Sequence, residues 1–162
     1  MKGRALISVA GFAALALALD QITKAGMLVI MQPPRLIPVT PFFILTLGFN
    51  EGASFGILGG LMQGRPWAMI ALTGLITALI GVWALRAKTG SERAGLSLIY
   101  GGALGNIIDR IRQGAVTDFL DFYWKDWHWP TFNMADVAIS VGAMLILSAA
   151  LPLRRKTEST RV

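Results

Sequence analysis

The sequence predicts an all-α membrane protein of four transmembrane helices, with a small β-rich cradle and a loop or lid at the outer face. Three observations carry that expectation. The chain has 162 residues of which 54% are hydrophobic, too apolar for an ordinary soluble domain and too short for more than one membrane unit. Its apolar residues gather into four stretches, each near the roughly 20 residues needed to cross a hydrocarbon core of about 30 Å. The net charge of +6 comes from basic residues that flank these stretches: Lys2 and Arg4, then Arg86, Lys88 and Arg93, then Arg154, Arg155, Lys156 and Arg161. Such flanking marks membrane topology and not a nucleic-acid surface, and an even number of spans places both termini in the cytoplasm.

The first span covers about 5–30 and opens with ALISVAGFAALALAL. A cleavable signal peptide would share its basic start and apolar run. That reading is set aside because apolar character resumes after DQITK, and cleavage there would leave Asp20 and Lys24 without a role. An outer segment of about 31–65 follows, in which Pro33, Pro34, Pro38 and Pro41 stop the helix and lead into VTPFFILTLGFNEGASFGIL. Its β-branched and aromatic residues favour short strands. Open strands cannot face lipid, so a small sheet is expected at the outer interface, over the helix ends.

The second span covers about 66–85, with Pro66 suited to a first helical turn, and the third about 94–111. The outer connection of about 112–133, VTDFLDFYWKDWHWPTF at its centre, is read as a loop whose Tyr123, Trp124, Trp127 and Trp129 form an interfacial belt. The fourth span covers about 134–153, and the tail KTESTRV is expected to be disordered. The whole reads as one integral membrane domain over 1–162.

Three spans carry polar clusters where lipid-facing helices are oily: Asp20 in DQITK, Asn106 and Asp109 in GGALGNIIDR, Asn133 and Asp136 in FNMAD. Ionisable groups at bilayer depth are costly and mark functional sites. At about 1.5 Å rise per residue, Asp20 lies about 24 Å above Arg4, Asp109 about 24 Å above Arg93 and Asp136 about 27 Å above Arg154. All three share one level in the outer part of the membrane, and Asn50, Asp118 and Asp121 open onto it. With no cysteine and a single histidine, His128, thiolate chemistry, disulfides and multi-histidine metal sites lack their parts. Carboxylate chemistry remains.

Asp20 and Lys24, four residues apart on one helix face, are expected to pair, with the Lys24 ammonium snorkelling to the interface; a supporting role at the site is the alternative. Gly101 and Gly105 form a small-xxx-small pair for close helix packing. Asp109 beside Arg110 suggests a charge-balanced brace that keeps the carboxylate ionised. Asp136 has no basic neighbour in sequence, and Asp118 in VTDF lies on the loop leading back to it. Two carboxylates in a partly desolvated setting separate their pKa values, so that one activates water and the other protonates a leaving group. Spacing leaves Asp121 and Asp109 open as competitors to Asp118. NEGASF, with Asn50 and Gly52, is read as a turn or as a loop whose amide contacts a peptide backbone. Ser54 has no histidine placed to activate it, and His128 between two tryptophans is read as interfacial.

DQITK, NEGASF, GGALGNIIDR, VTDF and FNMAD, in this order and over nearly the whole chain, resemble bacterial lipoprotein signal peptidase, also called signal peptidase II. The resemblance implies an aspartic intramembrane endopeptidase of the bacterial inner membrane, which cuts a prolipoprotein just before a diacylglyceryl-modified cysteine. It implies Asp118 and Asp136 as the catalytic pair. It assigns Asp20, Lys24, Asn50, Gly52, Asn106, Asp109, Arg110 and Asn133 to shaping or supporting the site. It further implies no metal or organic cofactor, and sensitivity to the cyclic peptide globomycin. The expected partners are the lipid-modified prolipoprotein and membrane lipid, with no nucleic acid, and the chain is expected to act as a monomer. The proline-broken β-rich segment would clamp the substrate and the Trp-rich loop would cover it.

A small proton- or cation-coupled carrier is the alternative from another class; it predicts carboxylates spread along a path, whereas the inner halves of the spans hold almost no polar residues. A scaffold subunit packing through Gly101 and Gly105 is a second, in which the acids serve stability alone.

Overall fold

The computed structural model describes residues 2–52 and 66–150. Ala53, Ser54 and Phe55 of NEGASF, the fourth apolar stretch beyond 150, and the basic tail lie outside the described residues. The described residues form four helices: α1 (Lys2–Ile30), α2 (Pro66–Arg86), α3 (Gly90–Gln113) and α4 (Met134–Ala150). Gly3–Ile30 and Trp67–Arg86 are long and apolar enough to cross a membrane, and Met134–Ala149 is apolar but shorter.

α3 carries Glu92, Arg93, Asp109, Arg110 and Arg112, and it packs against all three other helices. It begins earlier than the apolar run suggests because Thr89 caps it, its hydroxyl accepting from the Glu92 N–H at 3.1 Å. Gly114 ends it with φ 79°, donating its N–H to the Arg110 carbonyl. Gly101 abuts the Ala13 backbone of α1 and Gly102 the Ala135 backbone of α4, the close approach that small residues permit.

The helix ends differ in what they bury. At one end Val9, Ala84, Ala87 and Leu96 form an apolar cluster joined by Ile80 and Ile146. At the other, Met27 and Met31 of α1 receive Phe119, with Leu45, Leu47 and Met134 around them. Phe119 belongs to a four-stranded antiparallel sheet, in the order β1 (Ile37–Thr40), β2 (Phe43–Asn50), β3 (Val116–Trp124) and β4 (Trp127–His128).

The sheet corrects one expectation. The connection of 112–133, read as a loop, contributes β3, so Asp118 stands on a strand. The reason lies in VTDFLDFYW, whose β-branched and aromatic residues suit a pleated, half-buried surface once β2 offers an edge. Thr117, Phe119 and Asp121 are buried on one face, while Asp118, Leu120 and Phe122 occupy the other. The register sets Asp118 opposite Gly48, Leu120 opposite Leu45 and Phe122 opposite Phe43. Beyond β4 the chain returns along β3, where Phe132 exchanges backbone hydrogen bonds with Leu120.

Candidate active site

Asp118 and Asp136 reach one site from different elements. Asp136 is the third residue of α4, and Asn133 caps that helix: the Asn133 side-chain oxygen accepts from the Asp136 N–H at 3.1 Å, and the Asp136 Oδ2 accepts from the Asn133 N–H at 3.1 Å. This reciprocal capping box holds Asp136 at the helix mouth. The other end of the Asn133 amide reaches across to β3, where its Nδ2 donates to Asp118 Oδ1 at 2.6 Å. One asparagine therefore grips both carboxylates. Asn106 of α3 donates to Asp136 Oδ1 at 3.2 Å, and Asn50 of β2 donates to Asp118 Oδ2 at 3.2 Å. Asn50 is itself steadied by the Gly52 N–H, 2.9 Å from its Oδ1, in a turn whose φ of 108° at Gly52 requires glycine.

Among the described residues, every direct donor to these two carboxylates is a neutral amide. Burial pushes the Asp118 carboxyl up to about 6, reinforced by the charge of Asp136 and opposed by the hydrogen bonds from Asn50 and Asn133. A cleft of about 220 Å³ opens on Asp118, lined also by Gly48, Phe49, Asn50, Pro130 and Thr131. A larger hollow of about 480 Å³ lies farther along β3, walled by aromatic side chains from Phe42 to Phe132 and free of carboxylates.

Asp20 and Asp109 form a second arrangement beneath the first. Lys24 Nζ lies 2.9 Å from Asp20 Oδ2 and 3.0 Å from Asp109 Oδ2, and it donates to Asn106 Oδ1 at 2.9 Å. Asp20 is 0% exposed and Lys24 2%, so the lysine does not snorkel; two carboxylates and an amide make burial of its ammonium affordable. Gly105 makes room here, since a Cβ on it would collide with the Asp20 carboxylate. Each carboxylate also takes a backbone N–H: Ala135 donates to Asp20 Oδ1 at 2.9 Å, and Thr117 donates to Asp109 Oδ2 at 3.0 Å.

The expected Asp109–Arg110 brace is not what forms. Adjacent helical residues point about 100° apart, and Lys24 takes the carboxylate. Arg110 Nη1 donates to the Asn106 carbonyl at 3.3 Å, and its buried Nε has no hydrogen-bond partner among the described residues. Asp121, the other strand carboxylate, lies on the opposite face of β3 and is held by His128, whose Nδ1 is 2.8 Å from Asp121 Oδ2. His128 also stacks on Tyr123 at 5.3 Å between ring centroids. Gln21 and the backbone donors Thr117 and Ala135 were not singled out by sequence. Gln21 sits inside DQITK, but nothing in the motif shows which way its amide turns.

Comparison with known proteins decides the family. Residues 12–151 match the family described as "Signal peptidase (SPase) II". The chain belongs to the signal peptidase II family. Signal peptidase II activity is therefore its function, it is a bacterial membrane protein, and the carrier alternative finds no support. A relative from Burkholderia mallei (strain SAVP1), described as lipoprotein signal peptidase, is 43% identical over 149 residues, which is 90% of this chain and 89% of the relative. One from Paraburkholderia phytofirmans, with the same description, is 42% identical over 139 residues, 85% of this chain and 80% of its own. Two solved structures described as a bacterial membrane enzyme are similar in fold. One has a TM-score of 0.76 at 28% identity, covering 99% of this chain and 94% of its own. The other has a TM-score of 0.75 at 30% identity, covering 93% and 94%.

Proposed function

We propose that this signal peptidase II is an aspartic endopeptidase in which Asp118 and Asp136 share one proton and activate a water. In this mechanism the water attacks the scissile carbonyl while the ionised carboxylate takes its proton and the protonated one donates to the carbonyl oxygen. As the tetrahedral gem-diol collapses, the carboxyl that took the water proton gives it to the leaving amine, and the other carboxylate takes a proton back from a diol hydroxyl, which restores the shared proton. The observation that carries the reading is the shared grip of Asn133 on both carboxylates, with only neutral donors among the described residues and a cleft at Asp118. Desolvation without an ion pair among the described residues is the setting in which a carboxyl keeps a proton near neutral pH.

The substrate is a lipoprotein precursor carrying a diacylglyceryl-modified cysteine, cut just before that cysteine. The description of the relatives supports a lipoprotein substrate. We place the chain in the bacterial inner membrane as a monomer with four spans, both termini cytoplasmic and the dyad toward the outer face. Supporting this, the sheet packs on the helix ends that also carry Asp20, Asp109 and Asp136. Substrate and membrane lipid would then meet at the same level, and globomycin would occupy the cleft. The aromatic hairpin of β3 and β4, with exposed Trp124, Trp127 and Trp129, serves as the lid; absence of crosslinks between it and bound substrate would remove that role.

Purified protein incubated with a diacylglyceryl-modified precursor and with its unlipidated form tests the substrate. Release of signal peptide, followed by mass shift, is expected from the lipidated form alone. Equal cleavage of both forms would contradict the stated specificity.

A further inference from the structure

Among the described residues, Gln21 is the one side chain that joins both carboxylates of the buried Lys24 cluster besides Lys24 itself. Its Nε2 lies 3.1 Å from Asp20 Oδ2 and 3.1 Å from Asp109 Oδ1, with the Gly105 carbonyl more distant at 3.4 Å. A primary amide has two hydrogens, so the two short contacts use both. Asp20 and Asp109 therefore have matching surroundings. Each receives the Lys24 ammonium, the Gln21 amide and one backbone N–H.

The position of those backbone donors gives the arrangement its meaning. Asp20 holds the N–H of Ala135, the residue before Asp136. Asp109 holds the N–H of Thr117, the residue before Asp118. The chain is thus tied down immediately upstream of each member of the dyad, by two carboxylates that Lys24 and Gln21 bind into one unit. Two carboxylates around one ammonium leave an excess negative charge in a buried place. A neutral donor shared between them relieves the repulsion while fixing their relative orientation, because its two N–H directions are set by one planar group.

We propose that Gln21 is a positioning residue for the reaction, keeping the two backbone straps in register so that Asp118 and Asp136 meet at the geometry the water requires. Its amide is taken up by Asp20 and Asp109 and bonds to neither member of the dyad. Its effect reaches the dyad through Asp20 to Ala135 on one side and through Asp109 to Thr117 on the other. The inference rests on the dyad assignment of the preceding subsection.

The test replaces Gln21 with Met, similar in length but without a donor, in the full-length purified protein, and measures cleavage of the lipidated precursor with hydrogen exchange. Misplacing a catalytic group by a fraction of an ångström is expected to lower kcat about tenfold with KM held within about twofold. Exchange should rise in the backbone around 115–119 and 133–137 together, while the protected centre of α2 stays as in the wild type. A kcat within twofold of wild type, or a loss of activity accompanied by faster exchange throughout the helices, overturns the proposal. If Gln21→Met does not fold, Gln21→Asn, which keeps the amide one methylene shorter, is expected to show the same paired exchange signature with a smaller loss of kcat; its absence is equally fatal. Asp118→Asn assayed alongside separates the two ideas. Turnover by that variant removes the dyad, whereas an inert Asp118→Asn beside a fully active Gln21→Met removes only the positioning role.

Discussion

The four aspartates gathered toward one end of the helices fall into two pairs with opposite electrostatics. Asp20 and Asp109 surround Lys24 at 2.9 Å and 3.0 Å and accept from Gln21 and two backbone N–H groups. Asp118 and Asp136 accept only from Asn50, Asn106, Asn133 and the Asn133 backbone, and form no ion pair among the described residues. A carboxylate locked to an ammonium serves as structure. One held by neutral donors in a dry place can gain and lose a proton, which is what acid–base chemistry needs. Similar side chains within a few turns of one another are thus divided by their partners into frame and machine.

The sharpest way to break the frame is to take its cation away. Lys24→Met leaves two buried carboxylates without compensation, a change expected to cost about 3–5 kcal/mol. Purified yield and thermal unfolding in detergent should show it as a poorly folded protein. Normal melting would mean that Lys24 is not what holds Asp20 and Asp109.

The link between frame and machine is Asn133, and its removal should act on rate more than on fold. Asn133→Ala deletes a helix cap worth about 1 kcal/mol. It also frees Asp118 from its 2.6 Å hydrogen bond. We expect kcat to fall about 100-fold, the scale of a misplaced catalytic group, with melting lowered by only a few degrees; an unchanged kcat would deny that Asn133 aligns the pair.

The smallest effect is a gain in stability. Burial raises the Asp118 carboxyl from 3.8 to about 6, so folding favours its protonated form. The stabilisation this gives is complete below about pH 3.8 and is lost as pH rises through about 6. Asp118→Asn removes the ionisation, so the variant should melt a few degrees above the wild type at pH 8 and together with it below pH 4. A variant less stable than the wild type at pH 8 would place Asp118 among the frame residues.

Much of this division was legible in sequence, though not all of it. The described helices follow the apolar runs, and counting helix rise puts Asp20, Asp109 and Asp136 near one end of their helices, where the structure brings them together. Composition limits the chemistry to carboxylates. What spacing leaves open is the choice between Asp118 and Asp121, because three residues along a strand reverse the face, and the face is fixed only by pairing with β2. The family resemblance named Asp118, and the strand's register supplies the physical reason. Lys24 was expected at the interface because its burial depends on Asp109 and Asn106, which are more than eighty residues away. Arg110 was the nearer cation in sequence, but an adjacent helical position faces another way.

The measurement that bears most directly on the two-pair account is turnover of lipidated precursor per folded molecule by Asp118→Asn, Asp136→Asn and Asp109→Asn, each purified and checked for folding. The account predicts that either dyad change lowers kcat by about 10⁴-fold or more with the protein folded, while Asp109→Asn loses folded protein and keeps measurable activity in what remains. Substantial turnover by folded Asp118→Asn or Asp136→Asn, or complete inactivity of well-folded Asp109→Asn, would contradict it.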